Sequence, residues 1–109
     1  MYIILAYTFS KGIYMNYPYP QKGKFTIYSK SGCLNCVKVK TILKDTNLLF
    51  SVIDCDEFLL DNKQDFLDFI KKLIGKEYKI FPMVFDENKF IGGYNETNKY
   101  LEHFLDFNT

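Results

Sequence analysis

Two cysteines separated by two residues, Cys33 and Cys36, hold the most reactive arrangement in this chain. They follow the turn residues Lys30-Ser31-Gly32 and open a stretch in which Leu34, Val37, Val39 and Leu43 alternate with lysines at helical spacing. Cys33 therefore falls at a helix N-terminus, where unpaired backbone N–H groups and the positive end of the helix dipole favour a thiolate over a thiol. A thiolate is a nucleophile. Cys36 lies one helical turn further in, close enough to close a disulfide onto Cys33.

A strand must deliver the pair to that junction. Lys24-Phe25-Thr26-Ile27-Tyr28-Ser29 reads as a buried strand, followed by a helix to about Asp45. Leu48 to Asp54 is a second apolar strand, reached through Thr46 and Asn47. Phe66, Phe69, Ile70, Leu73 and Ile74 define one face of a helix between Asn62 and Ile74, with Lys71 and Lys72 outward and Gly75 as its stop. Phe81 to Phe85 and Lys89 to Ile91 are short strands around the turn Asp86-Glu87-Asn88, and Gly92-Gly93 breaks the second. Asn95 is the expected cap of a last helix with Leu101, Phe104 and Leu105 toward the core. The order is β-α-β-α-β-β-α. Its β-α-β opening implies a parallel pair with a right-handed crossover, and its hairpin adds antiparallel strands.

Composition narrows the field. The chain has 109 residues and a net charge of +1, so it suits one domain and gives no electrostatic reason for a nucleic-acid or membrane partner. Every basic side chain is lysine. The planar fork that reads phosphates and guanine edges is absent. Three cysteines do not make a disulfide framework; one close pair and a spare suit a reducing, cytoplasmic setting. The apolar segment Met1–Phe9 lacks a basic leader and an evident cleavage site, so it does not read as a secretory signal. Residues 1–23 are rich in tyrosine and read as an N-terminal extension, either an extra strand or an arm, with residues 24–109 as the domain proper. Translation from Met15 is a third reading of that extension.

The element order, with Lys30-Ser31-Gly32-Cys33-Leu34-Asn35-Cys36, Ile80-Phe81-Pro82-Met83-Val84-Phe85 and Phe90-Ile91-Gly92-Gly93-Tyr94-Asn95-Glu96, resembles the glutaredoxin family from Lys24 onward. The resemblance implies a thioredoxin-like α/β fold of three layers, a central mixed four-stranded sheet flanked by helices. It implies a glutathione-dependent thiol–disulfide oxidoreductase, expected to be monomeric, that reduces protein disulfides and protein–glutathione mixed disulfides. Cys33 would be the nucleophile and Cys36 the resolving thiol. Glutathione would be a co-substrate, with no bound metal or cofactor. By the same resemblance Pro82 is cis and the Phe81 backbone pairs with the extended tripeptide. Gly92 and Gly93 would allow close approach, and the helix N-terminus at Asn95 and Glu96 would receive the γ-glutamyl carboxylate. Lys30 would favour the thiolate and the glycyl carboxylate, and Asn35 lies between the cysteines where the substrate passes.

The sequence also departs from the family pattern. Leu34 and Asn35 stand where dithiol members carry proline and an aromatic, Leu67 where a glutamine is frequent, Ile80-Phe81 for threonine–valine, and Tyr94-Asn95-Glu96 for a Cys/Ser-Asp pattern. These departures bear on glutathione affinity more than on thiol chemistry. Alternatives are a redoxin served by thioredoxin reductase, and a glutathione-ligated [2Fe–2S] carrier. A zinc site would need Cys55 and His103 to join the cysteine pair. On the residues alone Cys55 reads as a buried structural cysteine and His103 as a surface or partly buried side chain.

Overall fold

The central strand of the sheet, β1 (Phe25–Ser29), is buried along its whole length. The computed structural model describes residues 16–107, with side chains as far as His103. Residues 1–15, and with them the expected strand Met1–Phe9, lie outside the described residues, as do the side chains of Phe104 and Leu105. The remaining elements are α1 (Leu34–Asp45), β2 (Phe50–Asp54), α2 (Asp56–Ile74), β3 (Met83–Asp86), β4 (Lys89–Gly92) and α3 (Tyr94–Phe107). The sheet order is β2-β1-β3-β4. β1 runs parallel to β2, pairing Ile27 with Val52, and antiparallel to β3, pairing Ile27 with Val84. β3 and β4 form the expected hairpin, with an irregularity at Val84/Phe85. This is a thioredoxin-like α/β fold with the element order that the sequence suggested.

The chain gathers into two compact units. One holds Pro20–Asp56 and the segment from Ile80 onward, hence the whole sheet with α1 and α3. Its core packs Phe25 and Ile27 of β1 against Val39 and Leu43 of α1, Val84 of β3 and Leu101 of α3. On α1 the buried residues are Cys36, Val39 and Leu43, spaced as one helical face requires. Leu34 and Val37 lie off that face and are exposed. The helix ends in a Schellman motif. Leu48 donates to the Leu43 carbonyl at 3.2 Å, Asn47 donates to that of Lys44 at 3.1 Å, and Asn47 adopts φ +61°.

The second unit holds residues 16–19 and Glu57–Lys79. The Tyr17 ring lies 5.0, 5.3 and 5.1 Å from those of Phe58, Phe66 and Phe69, and its hydroxyl donates to Asp65 at 2.9 Å. The described end of the N-terminal stretch thus serves packing. Gly75 ends α2 with its N–H on the Lys71 carbonyl, as expected.

Among the boundaries that differ from the sequence reading, β2 begins at Phe50 and not at Leu48, and three others differ for a local reason. The helix expected from Asn62 begins at Asp56, because the Asp54 side chain accepts the Asp56 N–H and starts a turn before it. Asn62 then leaves helical geometry, with φ −155° and ψ 84°, and its side chain caps a restart through the Asp65 N–H. The periodic pattern recorded only the restarted segment. β3 begins at Met83 and not at Phe81, since Pro82 has no N–H to give a ladder. α3 begins at Tyr94, so Asn95 lies within its first turn and is not the cap; Thr97 donates to the Gly93 carbonyl at 3.0 Å.

Leu43 is fully buried in the core of the sheet unit. Leu43→Ala is expected to lower unfolding stability by about 2–5 kcal/mol, read as a fall in the denaturant midpoint.

Candidate active site

Cys33 is the N-cap of α1, in extended conformation at φ −114° and ψ 102°. Its Sγ accepts the N–H of Cys36 at 3.1 Å, and its carbonyl accepts that of Val37. Sulfur thus takes the place that a serine or aspartate oxygen fills at most helix starts. No acidic residue lies in the first turn of α1 to oppose a negative sulfur. Cys33 and Cys36 are joined in a disulfide, their Cα atoms 5.2 Å apart. The two sulfurs differ in access. Cys36 is 1% exposed, whereas Cys33 is half-buried and therefore the one a substrate can reach.

The turn before Cys33 is held from β2. Gly32 sits at φ +69°, which a side chain would strain, and it turns the chain from β1 into α1. Cys55, directly after β2, donates its N–H to the Ser29 carbonyl at 2.8 Å. Asp56 follows, accepting the Ser31 N–H at 2.9 Å on one oxygen and the Ser31 hydroxyl on the other. The Ser31 hydroxyl, then its N–H, hold the Asp56 carboxyl below the usual carboxylate range; some desolvation opposes them, and nearby Lys30 adds to the lowering. No sequence motif points to Asp56 as a site residue. Its only signal was an acidic residue just past the second strand, where a helix start is equally served.

Two ring contacts tie the elements of this junction to the segments that carry other expected site residues. Lys30, exposed, places its Nζ 5.4 Å from the centre of the Phe81 ring, joining the turn to the proline segment. Phe81 and Pro82 are buried and linked by a cis peptide bond, while Ile80 beside them is 67% exposed. Lys38 of α1 places its Nζ 5.3 Å from the centre of the Tyr94 ring, joining the same helix to the start of α3. Cation–π contacts of this kind each contribute about 0.5–1 kcal/mol. Asn35, Leu34 and Val37 are exposed on the outer side of α1.

At α3 the two glycines have separate duties. Gly93 occupies the cap position, and Glu96 reaches back so that its Oε1 accepts the Gly93 N–H at 2.9 Å. This is the carboxylate half of a capping box. Gly92, at φ +135°, leaves space for that side chain, since a Cβ there would lie 2.7 Å from the Cβ of Glu96. Asn95 and Glu96 are both exposed.

Cys55 stands apart from this chemistry. It is completely buried, its thiol lies 3.5 Å from the Ile53 carbonyl, and burial pushes its pKa up to about 12, with Asp54 and Asp56 adding to the rise against the Ser29 hydrogen bond. It remains a protonated thiol at any ordinary pH. His103 is exposed on α3. Among the described residues no three His, Cys, Asp or Glu side chains converge to hold a metal, and no helix is long and apolar enough to cross a membrane.

A mixed sheet of order β2-β1-β3-β4, with an accessible cysteine at the β1–α1 junction and its partner one turn inside, defines a thioredoxin-like protein with a redox-capable pair. Within that class, residues 25–91 match the glutaredoxin family model, and the chain belongs to the glutaredoxin family. It is 34% identical over 67 residues to glutaredoxin 1 of Rickettsia felis, a match covering 62% of this chain and 61% of that protein. The chain thus spans about six-tenths of the length of this curated relative. The fold is similar to the crystal structure of glutaredoxin 1 from Francisella tularensis complexed with cacodylate. The TM-score is 0.66 and the identity 24%, over 76% of this chain and 96% of that one. It is also similar to a buckwheat glutaredoxin–glutathione complex, with TM-score 0.55 and 23% identity over 73% and 70% of the two chains.

The contrast between the thiols is directly measurable. In reduced native protein, iodoacetamide at pH 8 should label Cys33 first and leave Cys55 unmodified until denaturant is added. Peptide mass mapping checks this, and rapid native labelling of Cys55 would refute its burial.

Proposed function

We propose that this protein is a glutathione-dependent thiol–disulfide oxidoreductase acting on protein disulfides and protein–glutathione mixed disulfides. The observation that carries the reading is Cys33 itself: the accessible sulfur of a Cys33–Cys36 disulfide, seated at a helix N-cap and receiving the Cys36 N–H. The charge that develops on this sulfur when the disulfide is reduced faces a hydrogen-bond donor and the positive end of α1.

The electron balance is simple. Cys33 thiolate attacks one sulfur of a substrate disulfide, forming a new S–S bond and expelling the other sulfur as thiolate. Cys36, giving up its proton, then attacks Cys33 Sγ. The mixed disulfide breaks, the substrate leaves reduced, and the Cys33–Cys36 bond remains with the two electrons lost by the pair. One glutathione thiolate opens that bond to a Cys33–glutathione disulfide, and a second releases Cys33 and departs as glutathione disulfide. On a glutathionylated protein, Cys33 takes the glutathionyl sulfur directly and Cys36 is not required.

Support for glutathione as the reductant comes from family membership and from the glutathione complex of the similar buckwheat protein. We place the tripeptide along the Phe81–Pro82 segment, with Lys30 near its glycyl end and the α3 N-terminus near its γ-glutamyl end. Both regions reach α1 or its leading turn, through the Lys30–Phe81 and Lys38–Tyr94 contacts. Leu67 is buried, so the glutamine frequent at the family's corresponding position has no polar counterpart there. A reducing, cytoplasmic setting and a monomeric state complete the proposal; the buried free thiol of Cys55 suits such a compartment.

Cys33→Ser is expected to cut both activities by about two orders of magnitude or more, as loss of a nucleophile does. Cys36→Ser should keep much of the deglutathionylation and lose protein-disulfide reduction. Turnover with glutathione and its reductase, assayed on a glutathionylated peptide and a disulfide protein, checks both. Normal deglutathionylation by Cys33→Ser would sink the assignment.

A further inference from the structure

Lys30, Ser31 and Gly32 are all exposed, and they separate the buried end of β1 from the sulfur that caps α1. An exposed turn containing glycine is costly to order, because each residue fixed loses backbone freedom. The structure supplies a clamp at its middle. Both donors of Ser31, its N–H and its hydroxyl, go to the two oxygens of one carboxylate, Asp56. Hydrogen bonds to an ionised acceptor are about twice as strong as neutral ones. Asp56 is itself anchored, because its N–H donates to Asp54 at 3.0 Å and the preceding residue is bonded to Ser29 at 2.8 Å. The clamp therefore refers the turn to the ends of β1 and β2.

We propose that Asp56 is a positioning residue of the active site: by gripping Ser31 through both oxygens it keeps Cys33 Sγ under the Cys36 N–H, and so keeps Cys33 acidic. This rests on the reading of Cys33 as the nucleophile. Two effects of Asp56 oppose each other. Its negative charge disfavours a thiolate nearby, while its grip maintains the donor and the helix terminus that favour one. The charge is partly offset by adjacent Lys30, the one cation among the groups acting on Asp56. On this proposal the hydrogen-bonded geometry outweighs the charge.

Asp56→Asn separates the two effects. A carboxamide oxygen can still accept the Ser31 N–H, and its NH2 can donate to the Ser31 hydroxyl, so the grip survives without the charge. Asp56→Ala removes both, and Ser31→Ala removes one of the two bonds at an exposed position. The rate of iodoacetamide alkylation of Cys33 in the reduced protein is measured against pH for all four proteins, with thermal midpoints recorded alongside. Asp56→Ala is expected to move the profile to higher pH and slow alkylation at pH 6 by about three- to tenfold. Ser31→Ala should shift it the same way by less, and Asp56→Asn should stay within about twofold of wild type. Should Asp56→Ala not fold, the Ser31→Ala and Asp56→Asn profiles decide alone. The proposal falls if Asp56→Asn and Asp56→Ala (or Ser31→Ala) shift equally, or if all profiles coincide while thermal midpoints drop. A wild-type profile like that of free cysteine overturns the oxidoreductase reading instead, and the differences among variants still report what Asp56 does.

Discussion

The hydrogen bond from the Cys36 N–H to Cys33 Sγ is the interaction on which the site depends. It requires that a helix begin at Leu34, that the chain arrive at Cys33 in extended conformation, and that no acidic side chain fill the first turn. Each requirement traces to a different part of the fold. The helix is held by Val39 and Leu43 in the core, the arrival by Gly32 and the Asp56 clamp, and the open first turn by the neutral choices Leu34 and Asn35. A dipole and donor at a helix start contribute only roughly 0.3–1 kcal/mol to an exposed anion, and more where water is partly excluded. A half-buried sulfur is in the latter position.

Access and burial divide the labour between the paired sulfurs. Cys36 projects into the face of α1 that also buries Val39 and Leu43, so it can resolve a bond to Cys33 but cannot receive a bulky substrate. On α1 beside Cys33 the exposed apolar side chains Leu34 and Val37 accompany Lys38, and Lys30 stands in the turn before it. The lysines lie over aromatic rings and so stay close to the surface.

Much of this architecture was readable from residue order, and the reasons for the misses are specific. β1 and the junction at Cys33 were legible because an unbroken apolar run meets a Lys-Ser-Gly turn and a helical period. The hairpin was legible from Asp86-Glu87-Asn88, of which Glu87 and Asn88 form the turn while Asp86 ends β3 opposite Lys89. The first segment of α2 was not, because its start depends on the Asp54 side chain and its end on the backbone of Asn62, neither of which alters the apolar period. The start of α3 differs by two residues because asparagine is a common cap, whereas here Gly93 takes that position and Glu96 closes on it. Asp56 was invisible as a site residue, since its partner Ser31 is 25 residues away and nothing in the spacing joins them.

Cys55 carries a consequence of its own. The chain has three cysteines, which allow three intramolecular pairings, and two of those would draw in Cys55. Sealing Cys55 inside the fold, protonated and out of contact with solvent, works as insulation on an electrical circuit does. On the proposed function, electrons enter and leave by the Cys33–Cys36 terminal alone, and the fidelity of that wiring lasts as long as the chain stays folded around the third sulfur.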